Sequence, residues 1–171
     1  MKISELKSSE FLPYFRVYID KVEGVDLLEA LEIGAKETLS FFKSIPESKL
    51  DYRYSEGKWT VKDILLHLVD TERVFCYRAL SFARSKNSNL EGFDENIYVD
   101  NAQANSKSIS ELLAEYIAVR NATILLFKSF SDDDLKRMGK ASDAVLSVRA
   151  AGFIICGHEI HHKQIIKERY L

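Results

Sequence analysis

Apolar residues recur along this chain at three- and four-residue intervals, the spacing of one face of an α-helix. Four long segments carry the pattern. From about Asp26 to Ser44 the apolar positions are Leu28, Leu31, Ala35, Leu39, Phe42 and Ile45, and Pro46 ends the run. From Thr60 to about Arg84 the stripe is Ile64, Leu65, Leu68, Phe75, Ala79 and Phe82; Ile64 to Val69 is apolar nearly all round, which predicts deep burial. Thr60-Val61-Lys62-Asp63 resembles a capping box with Asp in place of the usual Glu, and Trp59 and Ile64 are spaced as a hydrophobic staple. The third segment runs from about Ser108 to Phe130, with Ile109, Leu113, Tyr116, Ile117, Ile124 and Phe127 inward. The fourth starts near Val148 and carries Ala151, Ile154, Ile155, His158, His162, Ile165 and Ile166 on one broad face. A shorter helix is predicted around Tyr14 to Lys21, and strand-like alternation is absent.

Four such helices predict an all-α four-helix bundle, with residues 1–171 as a single domain. The connections are long, roughly Pro46–Trp59, Ser85–Lys107 and Ser131–Ser147. Connections of this length are often functional or carry extra turns. The second contains Gly92-Phe93-Asp94-Glu95-Asn96-Ile97-Tyr98, too aromatic for a solvated linker and suited to packing over a bundle end at a pocket mouth.

Composition narrows the function classes. Hydrophobic residues are 46% of the chain, enough for a substantial core, and Gly and Pro number only 7 and 2, consistent with helix. A net charge of −2 provides no basic field for nucleic acid, so none is expected as a partner. No apolar run reaches membrane-spanning length, and Met1 to Phe15 has no signal-peptide apolar core, so a cytoplasmic location is expected. Cys76 and Cys156 make no disulfide framework. By helical rotation both point away from their neighbouring histidines, and both read as small core residues.

The histidines are the candidate chemistry. All 4 lie at His67 or in the run Gly157-His158-Glu159-Ile160-His161-His162. His158 and His162 share one helix face, among Ile154, Ile155, Ile165 and Ile166. Buried imidazoles need partners for both ring nitrogens; a metal supplies one and a carboxylate or carbonyl the other. The alternative is a pair bonded to backbone or water. His67 alone, within Leu65-Leu66-His67-Leu68, reads more simply as a core histidine. His161 sits about 60° from His158 and about 100° from His162 around the helix, at the flank.

The run also matches His-Glu-x-x-His, with Glu159 as would-be general base. A zincin takes its third ligand from downstream, yet Lys163 to Leu171 contains no histidine, and Ile165 and Glu168 stand where the metzincin pattern needs Gly and His. A third ligand then comes from upstream, where His67 is the remaining histidine. A di-iron carboxylate site needs a second Glu-x-x-His, and Ile64 occupies the Glu position before His67.

In this order, Gly57 to Leu68, Asp70-Thr71-Glu72-Arg73, Gly92-Phe93-Asp94 with Tyr98, and Gly157 to Gln164 resemble the DinB-like (YfiT-like) superfamily over nearly the whole chain. One departure is Lys163-Gln164-Ile165, where many members have Arg-Gly-Gln. The resemblance implies a four-helix bundle, often homodimeric. It also implies a divalent metal held by His67, His158 and His162; three imidazoles suit zinc, nickel, copper or iron. Relatives include transferases and isomerases that use low-molecular-weight thiols such as bacillithiol or mycothiol.

Three protein ligands leave a coordination position open to water or a thiol. The leading expectation is therefore a metal-dependent thiol S-transferase or hydrolase acting on a small molecule. Candidates to line its pocket or support the ligands are Asp70, Arg78, Asp94, Tyr98, Glu159 and His161, each also readable as an ordinary polar residue. Two alternatives stay open: a non-catalytic metal- or ligand-binding bundle, favoured if Asp70 or Glu159 closes the site, and a helical interaction module whose histidines only stabilise the core.

Overall fold

The structure, a computed structural model, describes residues 1–85 and 88–171. The predicted connection Ser85–Lys107 therefore includes two positions, Lys86 and Asn87, that lie outside the described residues. In chain order the helices are α1 (Arg16–Ile19), α2 (Leu27–Ser44), α3 (Glu47–Leu50), α4 (Val61–Arg84), α5 (Glu95–Ala102), α6 (Ile109–Lys128), α7 (Asp132–Lys136) and α8 (Val148–Arg169). The four long ones are the predicted four, displaced by a residue or two at their ends. Their starts are chemically marked. Thr60 Oγ1 accepts from Asp63 N at 3.0 Å while Thr60 N donates to Asp63 Oδ2 at 2.8 Å, so Asp completes the box. Ser108 and Ser147 cap α6 and α8 in the same manner, accepting from Glu111 N and Ala150 N.

The four long helices form a ring in which α4 packs on α6 and α8, and α2 packs on the same two. Consecutive helices α2 and α4 are thus diagonal, and so are α6 and α8. A diagonal step crosses a bundle end and needs more chain than a hairpin between neighbours, which accounts for two of the long connections.

The reading that strand structure is absent is corrected. A small three-stranded sheet has the order β1 (Asn89–Leu90), β2 (Met138–Ala141), β3 (Ala144–Ser147), with β1–β2 parallel and β2–β3 antiparallel. The turn between β2 and β3 is Ser142-Asp143, with φ of +52° and +59°. Two consecutive left-handed residues are the signature of the hairpin turn whose twist matches its strands. Strands of two to four residues are too short for alternation to register as a pattern.

The bundle's centre is polar. Arg120 on α6 is 1% exposed and donates to Glu72 on α4 at 2.8 Å through both Nε and Nη2. It also reaches both oxygens of Glu159 on α8, at 2.9 and 3.2 Å, and Leu31 O on α2 at 3.3 Å. Tyr116 donates to Glu159 Oε2 at 2.8 Å. All four helices thus meet at one guanidinium. Apolar clusters lie to either side, one around Leu31, Phe82, Phe153 and Ile154, the other around Phe42, Leu65, Leu112 and Ile166.

This polar centre shifts two predicted faces. On α2 the buried positions are Leu27, Ala30, Leu31, Gly34, Thr38 and Phe42, while Leu28 and Leu39 sit at the margin. Gly34 is required here: a Cβ would lie 1.9 Å from Glu159 Oε1. On α6, Arg120 itself occupies the middle of the buried face, a place that periodicity assigns to an apolar residue.

Candidate metal centre

His67 projects from the buried face of α4, and His158 and His162 from successive turns of α8. Their Nε2 atoms converge: His158 Nε2 lies 3.1 Å from that of His67 and 3.0 Å from that of His162. The three ring centroids are 4.5–5.0 Å apart. Three nitrogens this close cannot all be satisfied by bonding to one another, since each contact needs one donor and one acceptor. Ligand nitrogens on a tetrahedral zinc, each 2.0–2.1 Å from the ion, stand about 3.3 Å apart. The observed spacing matches that within a few tenths of an ångström.

The protonation state suits the same role. Burial pushes the His67 pKa down to about 4 and, with help from His67, that of His162 down to about 3; His158 is also held well below the ordinary value, by burial and then by the other three histidines. All three are neutral at pH 7, as metal ligation requires. Behind them, Thr71 Oγ1 lies 3.4 Å from His67 Nδ1, whereas His162 Nδ1 is buried without a partner among the described residues. Trp59 covers the group, its ring 4.7 Å from His67 and stacked 6.4 Å from His162.

The histidines form the floor of a cavity of about 290 Å³, at the small end for ligand pockets. Its walls are aromatic, from Tyr14, Phe15, Tyr18, Trp59, Phe75 and Phe93, with Arg78, Ser142 and Glu95 as further polar lining. Tyr18 reaches His158 and His161 edge-on at 5.1 and 5.2 Å because α1 lies directly against α8. Gly157 allows that approach: a Cβ there would stand 2.0 Å from Tyr18 O.

A family model for the DinB superfamily matches residues 30–166. The chain belongs to the DinB superfamily. Among solved structures it is similar to YfiT from Bacillus subtilis, described as a probable metal-dependent hydrolase with an unusual four-helix bundle topology. The two share 19% identity over 86% of this chain and 89% of that one, with a TM-score of 0.75. At that identity the likeness shows a shared fold. No curated protein sequence matches this chain significantly.

Within this DinB bundle the sequence candidates divide. His67, His158 and His162 are brought together, and are the group of metal-capable side chains that converges among the described residues. Arg78 and His161 line the cavity. Asp70, Asp94, Tyr98 and Glu159 do not. Asp70 pairs with Arg73 at 3.1 Å, its pKa raised by burial against that pairing. Asp94 caps α5, accepting from Asn96 N at 2.8 Å and Ile97 N at 3.2 Å. Tyr98 is 44% exposed and packs on Phe93. Glu159 is committed to Arg120 and Tyr116 in the bundle centre, so it holds no position from which a zincin base would act.

Neither cysteine joins the site. Cys76 lies 3.1 Å from Thr123 Oγ1, its thiol pushed up to about 12 by burial, and Cys156 is wholly buried and raised further by the same cause.

Sequence reasoning missed Trp59, Thr71, Tyr18 and Ser142, whereas Phe93 lies in the aromatic segment read as a pocket mouth. Thr71 carried a signal, being four residues after His67 on the same face. Trp59 was read only as a staple residue. Tyr18 and Ser142 arrive on separate elements through contacts that no local spacing encodes.

Proposed function

We propose that this DinB-superfamily protein is a metal-dependent enzyme. His67, His158 and His162 hold one divalent transition metal, and a small molecule reacts above it in the aromatic cavity. The observation that carries the reading is the convergence of three neutral imidazole nitrogens about 3 Å apart on the floor of a cavity. When bound, such a metal polarises a substrate oxygen and makes a water or thiol reactive near neutral pH.

The protein's own groups divide the remaining work. Thr71 steadies His67 from behind through its hydroxyl. Trp59, Phe75 and Phe93 exclude water and hold an apolar substrate body. Burial and the Tyr14 hydroxyl 3.1 Å away raise the Tyr18 pKa, so Tyr18 stays protonated and serves as a donor. His161 and Glu95 are the other titratable bases of the lining, available for a proton from the attacking group.

Catalysis is favoured over a closed structural site by the fate of the two candidate fourth ligands. Asp70 and Glu159 are both engaged elsewhere, which leaves the cavity side of the histidines open to an exogenous ligand. Among the described residues no cysteine or carboxylate joins the three converging histidines, which favours a nucleophile from solution. It is water for a hydrolase, or a low-molecular-weight thiol for an S-transferase.

The test is tag-free protein reconstituted with zinc, nickel or iron. It is assayed against activated esters, and against an electrophilic halide with added thiol. One metal per chain and metal-dependent turnover in either assay are expected. Failure to take up metal, or turnover unchanged in His158→Ala, overturns the reading.

A further inference from the structure

Three arginines are buried among the described residues, and two of them are matched by carboxylates. Arg120 is bonded to Glu72 and Glu159, and Arg149 forks onto both oxygens of Glu10. The third, Arg78, is 6% exposed, yet no carboxylate lies within ion-pair distance of it among the described residues. Its guanidinium donates to Ser142 Oγ at 3.3 Å and lies 5.0 and 5.6 Å from the ring centroids of Phe75 and Phe93. Five N–H donors with one hydroxyl partner leave most of the group's capacity unused. A buried charge without a counter-charge is costly, and burial here lowers the pKa of Arg78, the opposite of what pairing does for Arg120 and Arg149.

Arg78 borders the cavity that the three histidines floor, and among the described residues no other Lys or Arg lines it. We propose that Arg78 and Ser142 form an anion subsite that binds the carboxylate of a monoanionic small-molecule substrate. This rests on the reading of the cavity as a substrate pocket. The planar fork of a guanidinium fits a carboxylate bidentately, and Ser142 adds a hydroxyl donor. One cation matches one negative charge, and exposed Glu95 on the same lining opposes a second. The spacing sets the substrate's shape. His67 and Arg78 are eleven residues apart on α4, about 16 Å along its axis. The long Arg78 side chain runs back over Phe75, which is three residues nearer His67, with its guanidinium 5.0 Å from that ring. The carboxylate and the reacting group are therefore separated by a spacer, and the aromatic walls make that spacer apolar.

The decisive experiment is a titration of metal-free protein with hexanoate, hexanamide and inorganic phosphate. It follows the ¹⁵N–¹H signal of Arg78 Nε, assigned as the side-chain signal lost in Arg78→Met. Hexanoate is expected to shift that signal and hexanamide to leave it unmoved. Arg78→Met is expected to weaken hexanoate binding at least tenfold, with Arg78→Lys in between. If Arg78→Met does not fold, Arg78→Lys supplies the assignment, and Ser142→Ala is expected to weaken binding severalfold. Equal effects of hexanoate and hexanamide, an unmoved Arg78 signal, or preference for phosphate overturns the proposal. Because metal is absent throughout, the two readings fail separately. A protein that takes no metal but binds hexanoate at Arg78 keeps the subsite and loses the metalloenzyme. A protein that takes metal but ignores hexanoate does the reverse.

Discussion

Glu159 Oε2 lies 2.9 Å from Arg120 Nη2, outside the lining of the cavity. This ion pair separates the two halves of the His-Glu-x-x-His string. Its histidines face the cavity, while its glutamate is the anchor through which α8 is tied to α4, α6 and α2. Two carboxylates share one guanidinium, and Tyr116 fills a further acceptor site. Removing the cation leaves both acids buried without compensation. Arg120→Met is therefore expected to destabilise the fold by about 3–5 kcal/mol, the range for breaking a buried pair from one side. Urea unfolding checks this; a loss under 1 kcal/mol contradicts the account.

The same geometry separates Glu159 from metal binding. Tag-free wild-type protein is expected to carry one metal per chain, and His158→Ala almost none. Glu159→Gln keeps Tyr116 and Arg120 as donors to its amide oxygen and is expected to retain full metal content in whatever fraction folds. His161→Ala is expected to retain it as well, because His161 touches Tyr18 and stands outside the converging nitrogens. Elemental analysis of the four proteins decides, and metal loss in His161→Ala equal to that in His158→Ala would refute the assignment.

The sequence carried the long helices well because their signals are local. Caps at Thr60, Ser108 and Ser147 and apolar spacing mark where α4, α6 and α8 begin and which side is buried. The pairing of His67 with His158 and His162 was legible too, from spacing on α8, from the scarcity of histidine, and from the resemblance. What lay beyond reach was long-range. Arg120 looks like a surface residue until Glu72 and Glu159 are brought to it from two other helices. Asp70 has the right helical phase for the site, yet Arg73 and the helix surface draw it away. Ser142 enters the cavity wall on a two-residue turn between strands too short to show a pattern.

Gly34 and Gly157 should be intolerant of even one methyl group. At Gly34 a Cβ would meet Glu159 Oε1 at 1.9 Å and Arg120 Nη1 at 2.8 Å, groups fixed by the central network. Overpacking of this kind costs about 1–3 kcal/mol. Gly34→Ala is expected to lower the urea midpoint while leaving metal content per folded chain unchanged. At Gly157 the added carbon would meet backbone, Tyr18 O at 2.0 Å, so α1 must move off α8. Gly157→Ala is expected to uncover the cavity, seen as faster hydrogen exchange through Arg16–Ile19. Unchanged exchange in that helix would count against the contact's importance.

Acid should act on the fold through Glu10 and Arg149. Burial favours the neutral acid, but Arg149 at 2.7 and 2.5 Å, the Lys7 backbone and Ser147 outweigh it, so the Glu10 pKa falls below its ordinary value. A depressed carboxylate pKa means that the unfolded chain takes up the proton first. The pair's contribution is fully present above the unfolded pKa of about 4.5 and is lost as pH falls through the lower folded value. Glu10→Gln removes the charge at every pH. The variant is expected to be about 2 kcal/mol less stable than the wild type at pH 7, a figure typical of hydrogen bonds to charged groups. The difference should shrink steadily below pH 4.5, as the wild-type glutamate is itself neutralised. Unfolding curves of both proteins at pH 7, 5, 4 and 3 test this. A gap that stays constant across the series would mean that Glu10 is held by packing and not by its charge on Arg149.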